Sequence, residues 1–225
     1  MLVKNWMSQK VITAHVNDTI QDAVKLMREH AIRMLPVMEQ GELVGIVTDR
    51  NLKRASASDV TTLDVHELIH LISTVKLKHI MTKNPITVPV DFTVEETAEI
   101  LLKHKISGVP VVNHDKEMVG TITQTDLFKV LISLSGARTK GMQFAFEAED
   151  RPGSIKELAD ILRQYGGRVA SILSSYDNVT AGYRKVYIHL YGIDRSRLPE
   201  LKSELRKTAS LLYLVDHREN LREIF

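Results

Sequence analysis

Four short clusters carry residue types capable of chemistry. Thr123-Gln124-Thr125-Asp126 sets a hydroxyl and a carboxylate three positions apart, at a junction predicted to run from strand into helix. A carboxylate so placed accepts hydrogen bonds from a vicinal diol, and helix N-terminal amides beside Thr123 favour a phosphate. The same spacing also makes a capping box, which stabilises a helix start with no ligand; spacing alone leaves both readings open. Thr48-Asp49-Arg50-Asn51 repeats the arrangement with an amide in the carboxylate's place, a weaker grip on a diol. His66-Glu67-Leu68-Ile69-His70 matches the H-E-x-x-H zinc-protease pattern. It lies in a short amphipathic connector with Leu63, Leu68, Leu71, Ile72 and Val75 for packing, without a third ligand or a cleft, so no metal site is expected. In Asp150-Arg151-Pro152-Gly153-Ser154-Ile155 a glycine precedes a helix start, where backbone amides can approach a carboxylate. A plain tight turn is the competing reading.

The elements that must hold these clusters come from an internal repeat. Residues 7–52 lie over 81–127, the second copy gaining one residue near Asp115. Ile12-Thr13 falls on Ile86-Thr87, Thr19 on Thr93, His30 on His104, Pro36 on Pro110 and Gly45 on Gly120. Each copy reads strand, helix, strand, strand, helix. In the second, Thr93 caps a helix with Glu95 and Glu96 in its first turn, and Gly108 is expected to break the helix tail. Val109–Val112 and Met118–Thr123 form a hairpin across Asn113–Lys116, and Asp126–Leu134 closes the unit. One copy has too little surface to bury alone, so the two are expected to pack together, sheet to sheet.

Apolar-Pro-Val-apolar, a turn, then Gly-x-x-Thr-x-x-Asp-Leu resembles a CBS repeat, and the tandem pair over residues 3–134 resembles a Bateman module. The resemblance implies an adenosine-containing ligand (AMP, ADP, ATP or S-adenosylmethionine) in a cleft between repeats. It implies that Asp126 holds the ribose diol and that Thr123 faces phosphate. Ile86 and Thr87, with Thr13 in the first copy, match positions lining the base, and Val109 and Pro110 would give it an apolar wall. Thr48 and Asn51 mark a first, weaker site, where Arg33 matches a position that reaches phosphate in some CBS proteins; a solvated helix-end arginine is the alternative. On this reading Asp126→Ala abolishes binding and leaves the melting temperature nearly unchanged.

After a linker at 136–141 the pattern changes to βαββαβ: strand Met142–Ala148, helix Ser154–Tyr165, strands Val169–Tyr176 and Tyr183–Tyr191, helix Leu198–Leu205, strand Leu211–Val215. With D-R-P-G-S-I at its first strand–helix junction, this ferredoxin-like segment (142–220) resembles an ACT domain. That implies amino-acid binding at a dimer interface through Arg151, Gly153, Ser154, Ile155 and Asn178, or dimerisation alone. The expected fold class is therefore α+β, with CBS repeats at 1–58 and 77–135 around a connector at 59–76. The order resembles that of acetoin-utilisation B-type and stand-alone CBS-ACT proteins.

Composition bounds the function. The 225 residues are 44% hydrophobic and 26% charged, with a net charge of +2 and 5% aromatics, which recommends neither nucleic acid nor a base-stacking platform. With no cysteine there is no disulfide or thiolate site. The N-terminus MLVKNWMSQKVITAH lacks a signal-peptide core, and no apolar run approaches the ~18 residues of a membrane helix, so a cytoplasmic protein is expected. No P-loop, nucleophile elbow or acid–base pair is present. The expectation is a non-catalytic homodimeric regulator that senses a small molecule, without a catalytic cofactor, and signals to an unidentified downstream protein. An oligomerisation scaffold with vestigial pockets is the alternative.

Overall fold

The computed structural model describes residues 1–58 and 73–225, the side chains of 56–58 excepted. The H-E-x-x-H stretch and most of the expected connector lie outside the described residues.

The first repeat runs β1 (Ala14–His15), α1 (Ile20–Glu29), β2 (Met34–Glu39), β3 (Glu42–Thr48) and α2 (Asp49–Ser58). After β4 (Thr82–Lys83), the second runs β5 (Val88–Pro89), α3 (Val94–His104), β6 (Gly108–Val112), β7 (Met118–Thr123) and α4 (Gln124–Leu134). Thr19 and Thr93 each close a full capping box, with Asp22 and Glu96. The hairpins match down to the bulge, which falls between Val37 and Met38 in one and Val111 and Val112 in the other. Gly108 does not end α3. Lys105 does so in the left-handed conformation (φ 53°), while Gly108 opens β6, where a Cβ would lie 2.9 Å from Thr123 Cγ2.

The repeats are interlocked through their leading segments. Thr82 and Lys83 pair with Ile46 and Gly45 of the first repeat, and Ser8 bridges to Thr121 of the second. Val3 donates its backbone N–H to Phe92 O, and Leu77 donates to Asp18 O. Val75, Leu77, Ile80 and Met81 thereby join the core formed by Ile20, Ala23, Leu35, Val37 and Val47. The chain before each repeat thus completes the other one.

Contacts divide the chain into Met1–Phe128 and Lys129–Phe225, inside α4. The second unit comprises β8 (Met142–Glu149), α5 (Ser154–Gln164), β9 (Arg168–Ser175), β10 (Tyr183–Tyr191), α6 (Leu198–Thr208), β11 (Ser210–Asp216) and β12 (Leu221–Ile224). Sheet order β12-β11-β8-β10-β9, antiparallel throughout, is the ferredoxin-like arrangement with one added edge strand. Phe144 and Phe146 of β8 are fully buried in one core with Leu158 and Leu162 of α5 and Leu201 and Leu205 of α6.

Candidate functional site

The two T-x-x-D/N junctions place their polar atoms alike. Thr48 N and Oγ1 donate to Asn51 Oδ1 at 3.0 and 2.5 Å; Thr123 N and Oγ1 donate to Asp126 Oδ2 at 3.0 and 2.7 Å. Both are capping interactions, so the competing reading of these motifs is realised whatever else they do. Asn51 adds a bond of its own, donating Nδ2 to Ile80 O at 3.4 Å. Asp126 is 6% exposed and Thr123 partly buried. A buried carboxylate that caps a helix contributes stability, contrary to the expectation that its removal leaves melting unchanged.

A cleft of about 460 Å³ opens beside the first junction. Thr48, Asp49, Arg50, Asn51 and Arg54 line one side, from the end of β3 and the first turns of α2. Thr82, Asn84, Pro85 and Ile86 line another, and Lys105, Ile106, Ser107, Gly108 and Gln124 close it. Arg50, Arg54 and Lys105 supply positive charge against the one carboxylate that lines the cleft among the described residues, Asp49, which Lys53 approaches at 3.7 Å. Ile46, Pro85, Ile86 and Ile106 supply apolar surface. The lining mixes both repeats because the segment before the second repeat crosses to β3.

The structure therefore groups Ile86 with Thr48 and Asn51, and not with Thr123 and Asp126, which do not line this cleft. Thr87 is not among the lining residues, and Thr13 is exposed before β1. Val109, 1% exposed, and Pro110 are buried within β6, and Ser107 and Gly108 face the cleft in their place. Arg33 is exposed, and its carbonyl accepts from Asp49 N at 3.2 Å, as that of Ser107 accepts from Gln124 N at 2.9 Å. Sequence reading missed Arg50, Arg54, Lys105, Asn84 and Gln124. Exposed cations beside a helix start carry no local signal until the other repeat's chain is placed against them.

In the second unit, Gly153 (φ 91°) caps α5, and a Cβ there would meet only Glu157 Oε1, at 3.9 Å; it is required by its backbone angle, not by crowding. Arg151 pairs with both Glu157 oxygens, at 2.8 and 2.6 Å, and with Glu149 at 3.1 Å. The bonds to Glu157, then to Glu149, raise its pKa further and hold Glu157 below the usual carboxylate range. Ser154 is buried and accepts from Arg184 Nη2 at 3.1 Å. Arg184 Nε is buried and has no hydrogen bond among the described residues, lying 3.5 Å from Asp150. Ile155 packs against the core, and Asn178 turns the β9–β10 loop with φ 54°.

Interlocked βαββα repeats, each ending in a T-x-x-D/N helix start, are matched by the CBS domain family over residues 3–58 and 77–133, half of the chain. The chain belongs to the CBS domain family. It is 36% identical over 130 residues to L-aspartate semialdehyde sulfurtransferase of Methanocaldococcus jannaschii, covering 57% of this chain and 23% of that protein. A CBS domain-containing protein of Dictyostelium discoideum is 30% identical over 135 residues, 60% of this chain and 93% of its own. The alignments to the first two curated relatives span 23% of their length. Among solved structures, the CBS domain pair of protein MJ0100, in complex with 5′-methylthioadenosine and S-adenosyl-L-methionine, is 34% identical with a TM-score of 0.50, covering 58% of this chain and 95% of that one. A structure described as an acetoin utilization protein from Vibrio cholerae is 28% identical with a TM-score of 0.52, covering 61% and 95%. No helix among the described residues is long and apolar enough to cross a membrane.

Proposed function

We propose that this CBS protein is a non-catalytic sensor of a phosphate-bearing adenosine compound, bound in the cleft lined by Thr48, Asn51 and Ile86. The observation that carries the reading is the cleft's chemistry: Arg50, Arg54 and Lys105 against Asp49, the one lining carboxylate among the described residues, beside Ile46, Pro85 and Ile86. The isoleucines suit a purine face, Asp49 suits the ribose diol, and the cations suit phosphate. The MJ0100 pair, with its adenosine ligands, supports the adenosine class. The cation excess favours AMP or ADP over the sulfonium of S-adenosylmethionine. Thr123 and Asp126, with Thr13 and Arg33, are the counterparts for a second site related by the repeat.

The βαββαβ unit supports an ACT-like reading, with an amino acid at Gly153, Ser154 and Ile155, and Asn178 nearby. Arg151, held by Glu157 and Glu149, would reach such a ligand only by exchanging those partners. Exposed Phe128, Leu131 and Ile132 on α4 support self-association as a homodimer.

Calorimetric titration of the full chain with AMP, ADP, ATP and S-adenosylmethionine tests the sensor. Binding of AMP or ADP that weakens in Arg54→Ala and Lys105→Ala is expected. S-adenosylmethionine binding tighter than either would overturn the phosphate preference. The absence of any adenosine binding would leave the scaffold reading, which the internally satisfied Thr48–Asn51 cap favours.

A further inference from the structure

A second basic cavity lies wholly within the C-terminal unit. It has a volume of about 380 Å³ and is lined by Lys140, Gly141, Met142, Tyr191, Gly192, Ile193, Arg195 and Arg218. These residues come from the start of β8, the end of β10, the turn before α6 and the turn after β11. That is the opposite end of β8 from Gly153 and Ser154, so the cavity is distinct from the ACT-like position. Among the described residues, three cations line it and no carboxylate does.

Its central cation is held rigidly. Asp216, 2% exposed, accepts from Arg195 Nε at 2.7 Å and Nη2 at 2.9 Å. Asp216 also accepts from the backbone N–H groups of Arg218 and Glu219 at 2.9 and 3.3 Å. A carboxylate bound by a bidentate guanidinium and two amides locks the arginine's plane. Arg195 Nη1 is left with no hydrogen bond among the described residues, and the side chain is one-third exposed. Arg218 and Lys140 stand exposed at the rim, and Lys140 has no ion pair among the described residues. The competing anion is Glu219, 3.9 Å from Arg195 and 3.8 Å from Arg218, beyond hydrogen-bond distance and itself 57% exposed. Such a carboxylate is readily displaced by a better anion.

We infer that Lys140, Arg195 and Arg218 form an anion site for a phosphate group, free or as the end of a small ester whose body lies on Tyr191 and Ile193. Two guanidinium groups and an ammonium suit a dianion better than a single carboxylate, and the volume leaves room beyond one phosphate. Lys140 and Gly141 end the segment that leads from α4 into β8, and Gly141 O accepts from His217 N at 3.0 Å. Ligand binding therefore reports on that segment as well as on the cavity.

The test is a titration of the full chain with orthophosphate and with phenyl phosphate, read by calorimetry and by amide hydrogen exchange over residues 139–142. Lys140→Ala/Arg218→Ala is the variant, since both side chains are exposed and Arg195 remains on Asp216. Saturable binding that slows exchange there, and an affinity loss of about 10-fold or more in the variant, is expected from losing charged hydrogen bonds. Tighter phenyl phosphate binding would identify an ester, and tighter orthophosphate binding the free ion. No saturable binding, or an affinity unchanged in the variant, would overturn the site. AMP binding measured on the same variant keeps the two proposals separate: retained AMP binding is expected, since neither residue lines the nucleotide cleft, and its loss would place AMP in this cavity and overturn the cleft as its site.

Discussion

The side chain of Asn51 has two polar ends, and the fold uses both: its oxygen caps α2 through Thr48, and its nitrogen reaches Ile80 O. An aspartate would keep the cap but set a carboxylate oxygen against the Ile80 carbonyl. Asn51→Asp should therefore destabilise by about 1 kcal/mol, measured by urea denaturation. Asp126→Ala, which removes the reciprocal cap on α4, should also cost about 1 kcal/mol in the same assay. His189 is a residue whose titration bears on the C-terminal unit. It is 2% exposed, and its Nε2 must carry the proton it donates to Thr139 O at 3.0 Å. Burial chiefly, and His217 secondarily, lower its pKa below 6.5, against the Thr139 bond, which raises it. The unfolded histidine then binds a proton at a higher pH than the folded one. The stability that neutral His189 provides is complete above about pH 6.5 and is lost as pH falls from there through the folded pKa. Chemical denaturation from pH 8 to 5 should show this fall, and His189→Gln, which keeps a donor to Thr139, should flatten it.

Among the elements, the paired glycines of β3 and β7 show what interlocking requires. A Cβ on Gly45 would stand 2.5 Å from Met81 Sδ, and one on Gly120 would stand 2.6 Å from Met7 Sδ and 3.0 Å from Ser8 O. Gly120→Ala should cost about 1–3 kcal/mol by overpacking, read as a lowered melting temperature, with part recovered in Gly120→Ala/Met7→Ala. Both methionines and both glycines were visible as repeated positions, yet nothing local says that each glycine faces the other copy's methionine. Helices were legible because their caps and apolar faces are local, as at Thr93 and Glu96. Two-residue β4 and edge strand β12 were not: Thr82-Lys83 has no strand pattern, and Leu221–Ile224 is a strand only because β11 offers it hydrogen bonds.

For the whole molecule, each unit has its own core, one around Leu35 and Val47 and one around Phe144 and Phe146. Thermal unfolding should then depart from a single transition. Arg195→Ala leaves Asp216 buried without its counter-charge, at a cost of about 3 kcal/mol. Scanning calorimetry should show one component lowered, with AMP binding by the first unit retained.

The repeat, the capped helices, the βαββαβ order and the T-x-x-D/N junctions are legible in the residues alone, because these rest on local propensity and spacing. Which junction shares a cleft with which strand start is set by packing between distant segments. Ile86 meets Thr48 and Asn51, beside Arg50, Arg54 and Lys105, because residues 75–83 leave their own repeat to complete the first one's core and sheet. That exchange is driven by burial and by strand pairing between residues far apart in the chain, which no local pattern records.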